Sequence, residues 1–141
     1  MRIFFLINIF FIYLFWSPNL KSAQLNNFEE GVKLYNKKNF KESKIFFERD
    51  IVFNPKNQSS YLYLAKIFKK NENDEEQEIN LNNVLLLEPQ NDEAIYLLTL
   101  LKIKQSDYER SKELIDQFTL VCKNFCKKED EIKKKFSKLT P

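Results

Sequence analysis

Two thiols are the most reactive groups in this 141-residue chain, and they stand four residues apart, at Cys122 and Cys126. Three chemistries are open to such a pair. In one continuous helix the spacing sets both side chains on one face, with Cβ vectors poorly placed for a disulfide. A helix that ends between them, at Lys123-Asn124, would bring the sulfurs together and pin the C-terminal segment, a bridge that an oxidising compartment favours. Two reduced, core-type thiols are the second reading, and metal or redox work is the third. C-x-x-x-C without further Cys or any His is a poor zinc site. The lack of His also removes the usual general base. A single Gly, Gly31, leaves no glycine-rich phosphate loop. Asp and Glu fall at helix starts and exposed faces without a paired arrangement. The expectation is no enzyme, no metal and no cofactor.

These groups must be positioned by helices, because one Gly and four Pro argue for few loops. From Gly31 to Asn57 the chain reads as two short amphipathic helices joined by a tight turn and closed by Asn54-Pro55. The closing N-P-K-N recurs as E-P-Q-N at Glu88–Asn91, which puts Pro55 and Pro89 34 residues apart. A fixed period of that length, each unit a helical hairpin, means a solenoid whose neighbours share a core. The register gives three units, Gln24–Asn57, Gln58–Asn91 and Asp92–Phe125, with a capping helix and tail over 126–141. Three columns support it: small Gly31, Ala65 and Thr99; large Phe47, Leu81 and Ile115; apolar Phe53, Leu87 and Val121.

Local signals agree with these boundaries. Asn39 with Glu42, and Ser106 with Glu109, resemble capping boxes at the starts of second helices. Asn73 precedes Asp74–Glu76, acidic residues in a first turn where the helix dipole favours them. First helices carry stripes at helical spacing: Phe28, Val32, Tyr35; Tyr61, Leu64, Ala65, Phe68; Ile95, Leu98, Leu101. From Lys127 to Leu139 only Ile132, Phe136 and Leu139 form an apolar stripe, as a terminal cap requires.

Met1–Ala23 is of another kind. Arg2 precedes a 14-residue apolar run, Ile3–Trp16, broken at Ser17-Pro18 and followed by small residues near Ala23. This is the layout of a secretory signal peptide, and the run is short of the roughly 20 residues that span a bilayer. Cleavage after Ala23 puts Lys21 three residues before the cut, an imperfect site. An uncleaved inner-membrane anchor and an internal helix are the other readings. Export is expected, to the periplasm of a Gram-negative bacterium, with membrane contact only through this segment if it is retained. Removing it lowers the formal charge from +3 to +1, so basicity gives no reason to expect nucleic acid.

The units resemble tetratricopeptide (TPR) repeats. The best match is N-F-K-E-S-K-I-F-F-E-R-D-I-V-F-N-P-K-N, residues Asn39–Asn57, with Gly31 upstream; D-Y-E-R-S-K-E-L-I, residues Asp107–Ile115, repeats its opening. The resemblance covers essentially all of the chain after Ala23. It implies an all-α, right-handed α-solenoid of three helical hairpins plus a C-terminal capping helix. Departures occur. The aromatic at the start of the second helix is Phe40 and Tyr108 but Asp74 in the middle unit. The small residue after it is Ser43 and Ser111 but Gln77. Asp50, Val84 and Phe118 stand where a small residue is usual, and Lys123 replaces the third proline. The middle and last hairpins are therefore expected to pack less closely, and Asp50 to tilt toward solvent rather than lie buried against a partner.

The resemblance also implies a groove lined by first helices. By register it falls on Phe28, Val32, Tyr35 and Asn36; on Leu62, Lys66, Lys69 and Lys70; and on Tyr96, Leu100, Ile103 and Lys104. An apolar and aromatic groove with a central lysine cluster suits a peptide bearing acidic and hydrophobic residues. The alternative is that Tyr35, Leu62 and Tyr96 only pack hairpins together. The carboxylate clamp with which some TPR proteins hold chaperone tails is not reproduced, its positions being Phe28, Val32, Tyr63, Glu93 and Leu97. The implied function is a non-catalytic protein-binding adaptor or scaffold of the cell envelope. An assembly factor for envelope biogenesis, such as c-type cytochrome or outer-membrane protein maturation, and a structural subunit are the alternatives. Three repeats are near the minimum for an independent solenoid, and association would complete the core.

Overall fold

The computed structural model describes residues 20–139, so Met1–Asn19 of the expected export segment lie outside the described residues. Among those described are seven α-helices and no strand. They are α1 Leu20–Asn36, α2 Phe40–Phe53, α3 Gln58–Lys70, α4 Asp74–Leu87, α5 Asp92–Lys104, α6 Tyr108–Val121 and α7 Glu129–Phe136. Helices α1/α2, α3/α4 and α5/α6 form three successive hairpins, each packed on the next, and α7 caps α5 and α6.

The hairpins share one turn. Its second residue is Lys38, Glu72 or Ser106, each in the left-handed region at φ 62, 55 and 58. The following N–H, of Asn39, Asn73 or Asp107, donates to the carbonyl five residues back, of Leu34, Phe68 or Lys102, each at 3.0 Å. That is the hydrogen bond of a Schellman helix ending, made here without glycine. The next helix starts on a side-chain cap in two of three cases, Asn73 accepting from the Glu76 N–H and Asp107 from the Arg110 N–H. The expected capping boxes differ in detail. Asn39 uses its amide to reach the Glu42 carboxylate and leaves the backbone uncapped. Ser106 is spent on the left-handed turn position, so the cap of α6 falls to Asp107.

Hairpin closure begins at Gly31. A Cβ there would lie 2.8 Å from the Phe47 ring, and the Ser43 hydroxyl donates to the Gly31 carbonyl at 2.8 Å. Ala65 and Thr99 stand at the same register position, both fully buried, as are Phe47 and Leu81. In the middle hairpin Gln77 is buried where Ser43 stands in the first. The third column is split: Phe53 and Leu87 are exposed at helix ends, whereas Val121 is half-buried and packs against the core.

Asp50 is the clearest correction. It is 1% exposed, and its carboxylate accepts from the Asn57 side chain at 2.7 Å and from the Ser60 hydroxyl. The network joins the first hairpin to the second. At the next junction the equivalent positions of Asp50 and Ser60 hold Val84 and Ala94, both fully buried, so an apolar contact does there what a polar one does here.

The third junction uses another device. Cys122 ends α6, and Cys122 and Cys126 are joined by a disulfide around a short loop before α7. Asp92, the first residue of α5, accepts from the backbone N–H groups of Lys123, Asn124 and Phe125 at 2.7, 2.6 and 3.0 Å. Burial alone would raise its pKa. These backbone donors, with the N–H of Glu93, outweigh burial and hold the carboxyl below its ordinary value. The missing third proline now has a reason: proline at 123 would delete one of the donors.

Candidate functional site

The face built by the first helices carries the side chains that can bind a partner. At its N-terminal end an aromatic cluster forms the wall. Tyr63 stacks on Phe47 at 4.8 Å between centroids and meets Tyr35 edge-on at 5.0 Å, while Phe28 contacts both Phe47 and Tyr63. Tyr35 also meets Phe40 edge-on at 5.2 Å. Burial first, then the negative potential of Tyr63 and Glu93, raises the Tyr35 hydroxyl pKa. The group therefore stays a neutral hydrogen-bonding phenol.

Beside this wall lies an open depression of about 450 Å³ lined by Tyr35, Lys66, Lys69, Lys70, Glu93 and Leu97. A smaller one of about 200 Å³, lined among others by Glu72, Asp74, Leu100 and Lys104, shares Lys69 with it. The lysines are not equivalent. Lys66 is bound to the Glu93 carboxylate at 2.6 Å and lies over the Tyr63 ring at 5.2 Å. Lys104 pairs with Asp74 at 2.7 Å. Lys70 lies over the Phe40 ring at 4.8 Å, a cation–π contact that leaves its charge uncompensated. The Lys69 ammonium is held below its ordinary pKa by partial desolvation, then by Lys135, Lys70 and Lys128, against the opposing pull of Glu131. Two cations thus line the depression together with Tyr35 and Leu97, and Lys135 of α7 adds to the field. The arrangement can hold a carboxylate or another anion next to an aromatic ring.

The structure distributes the sequence-derived residues unevenly. Tyr35, Lys66, Lys69 and Lys70 are brought together in the larger depression, and Leu100 and Lys104 join Lys69 in the smaller one. Phe28 and Val32 serve the core around Phe47 and Leu64, and Leu62 packs against the core around Ala65 and Leu81. Asn36 is exposed at the end of α1 and Ile103 is half-buried. Tyr96 is not open to a partner. It is 7% exposed, lies 5.8 Å from the Phe125 ring, and donates its hydroxyl to Glu131 at 3.1 Å. The segment after α6 therefore covers the C-terminal end of the expected groove. Glu93 and Leu97 also line the depression, although the repeat register assigns them only to the clamp that this sequence does not reproduce. The partner of Lys66 is 27 residues away, so no local spacing points to the pair.

No family model matches this sequence, and no curated protein is significantly similar to it. Solved structures are similar in fold. The first TPR of Spaghetti (RPAP3), bound to the HSP90 peptide SRMEEVD, superposes with a TM-score of 0.74 at 15% identity, covering 84% of this chain and 94% of that one. The chain has the TPR fold. The TPR2B domain of yeast Sti1, solved as a complex with pHsp70, gives 0.74 at 16% identity over 82% of this chain and 96% of that one. The Sgt2 TPR domain of Aspergillus fumigatus gives 0.69 at 15% identity, over 86% and 83%. The first helices of the three hairpins are α1, α3 and α5, and the larger depression is lined by residues of all three.

Proposed function

We propose that the chain is a non-catalytic adaptor that holds a peptide segment or partner surface in the larger depression. That segment carries an acidic side chain next to an aromatic or aliphatic one. The observation that carries the reading is that Lys69 and Lys70 line one open depression together with Tyr35 and Leu97. Neither lysine forms a salt bridge among the described residues, whereas Lys66 and Lys104 do. An incoming carboxylate therefore gains their charge without breaking an internal pair. The same fold holds an acidic HSP90 peptide in the RPAP3 TPR, which supports peptide binding as the use of this surface. Recognition here rests on side-chain acids, since Phe28, Val32 and Tyr63 occupy the clamp register.

The same proposal includes export, to the periplasm in a bacterium, with the partner an envelope protein. The apolar run Ile3–Trp16 supports it, and the Cys122–Cys126 bridge suits an oxidising compartment. The test is a crosslinked isolation of partners from native membranes and periplasm with the C-terminally tagged chain, reading its N-terminal peptide in the same run. Envelope partners, an N-terminus near Gln24, and loss of the same partners from the Lys69→Glu/Lys70→Glu variant are expected. Lys66 is left alone, because reversing it would set a second carboxylate against Glu93. Partner recovery unchanged by the double substitution contradicts the groove reading. Met1 intact with cytoplasmic partners contradicts export.

A further inference from the structure

The two depressions of the first-helix face are continuous with one another. On α5 the larger is lined by Glu93 and Leu97 and the smaller by Leu100, Leu101 and Lys104. Those steps of three and four residues mark one side of a helix. On α3, Lys66 and Lys70 line only the larger, and Lys69 lines both. Glu72 of the turn after α3, with Asp74 and Gln77 of α4, completes the smaller. The two therefore lie end to end along α5 and meet at Lys69.

Their charges differ. Lys66, Lys69 and Lys70 stand against the single acid Glu93 in the larger. In the smaller, Lys69 and Lys104 are balanced by Glu72 and Asp74. Lys104 and Asp74 are bonded at 2.7 Å, and Glu72 forms no salt bridge among the described residues. An acidic side chain entering the smaller depression would meet Glu72 and Asp74, and a basic one would meet Lys69 and Lys104. A neutral side chain escapes both repulsions, and buried Leu101 and half-buried Leu100 are there to receive it. Rejection of either sign of charge beside two leucines selects an apolar side chain.

We propose that the smaller depression is a second subsite, which holds an aliphatic side chain of the same partner segment whose acid lies against Lys69 and Lys70. The inference rests on the acid-binding reading of the larger depression given above. Leu97 lines one depression and Leu101 the other, one turn further along α5 and about 6 Å along its axis. An extended segment presents side chains on one side at every second residue, about 7 Å apart. The acid and the aliphatic residue are thus two positions apart in the partner, and the residue between them points away. The segment crosses Lys69, which both depressions share.

The experiment is a chemical-shift titration of the isotopically labelled full-length chain with three synthetic glycine–serine peptides. The first carries a glutamate and a leucine two positions apart, the second carries them adjacent, and the third has serine in place of the leucine. The first is expected to bind about ten-fold tighter than the third, as partly burying one leucine side chain would give. It should also shift the amides of Leu100, Leu101 and Lys104, whereas the third should shift only those around Lys66–Lys70. Leu100→Ser should make the first and third bind alike, and Lys69→Glu/Lys70→Glu should abolish binding of all three. The comparison of peptides uses the unsubstituted chain, so it stands even where Leu100→Ser folds poorly. Equal affinity of the first and third, with shifts confined to the larger depression, overturns the second subsite and leaves the acid site in place. Adjacent residues binding as tightly as spaced ones overturn the two-position spacing. No shift at Lys66–Lys70 with any peptide contradicts the acid site itself, and this inference with it.

Discussion

Asp50 and Ser60 do at one junction what Val84 and Ala94 do at the next, and this sets a clean expectation for substitution. Asp50→Ala strands the Asn57 amide and the Ser60 hydroxyl in a dry site, at a cost of about 2–3 kcal/mol in urea unfolding. Asp50→Val with Ser60→Ala removes the polar groups together and copies the neighbouring junction, so most of that loss should be recovered. A double variant no more stable than Asp50→Ala would show that the carboxylate does more than close the gap. Gly31 is the other sensitive residue. Alanine gains up to about 1 kcal/mol of helix propensity, yet its Cβ must displace the Phe47 ring, which is buried and stacked on Tyr63. The ring cannot swing away cheaply, so Gly31→Ala is expected to destabilise by about 1–2 kcal/mol net. At this scale the columns Gly31/Ala65/Thr99 and Phe47/Leu81/Ile115 were legible because repeat register and burial coincide. Asp50 was misread toward solvent because its partners, at 57 and 60, lie across a junction that helical periodicity does not describe.

At the scale of the element, the turns and the last junction hold what the sequence concealed. Lys38, Glu72 and Ser106 take the left-handed conformation without the glycine that marks it, so no residue type announced it. Such a residue costs roughly 1 kcal/mol relative to glycine. Glu72→Gly should therefore raise the unfolding midpoint, with a gain of about 0.5–1 kcal/mol less the extra entropy of the unfolded glycine. The loop after α6 is held by the disulfide and by Asp92. Closing so short a loop is worth about 2 kcal/mol at most on chain-entropy grounds. Cys122→Ser with Cys126→Ser should thus speed amide exchange in α7 while α1–α4 keep their protection. Acid acts on the same end. Burial works against the charge of Asp92, but its backbone donors prevail and depress its pKa. Glu131 is drawn from 4.5 to about 2, by Lys128 first and then Lys135. A depressed carboxylate contributes stability that is complete above its ordinary pKa and lost as pH falls through the folded one. The cap should accordingly loosen below about pH 4, detected as exchange broadening at Tyr96 and Ile132, and Asp92→Asn should make it loose at neutral pH. Equal protection of α7 at pH 3 and pH 7 would contradict this.

For the whole molecule, a 34-residue period read from two prolines was enough to give a three-hairpin solenoid with a cap, because each hairpin's stripe has only its neighbours to face. The binding surface was less legible. Register placed twelve residues on it, but not which lysines would be neutralised from other helices, nor that Phe125 and Glu131 would close over Tyr96. What remains open is a depression charged by Lys69 and Lys70 on one side of the solenoid and the exposed Ile79 and Leu86 of α4 on the other. Hydrogen exchange on the full-length chain, alone and with a captured envelope partner, separates their roles most directly. The account predicts new protection around Tyr35, Lys66–Lys70 and Leu97, with the backbone of α4 from Ile79 to Leu87 unchanged by that partner. Protection confined to α2, α4 and α6, leaving Lys66–Lys70 as in the free chain, would contradict it.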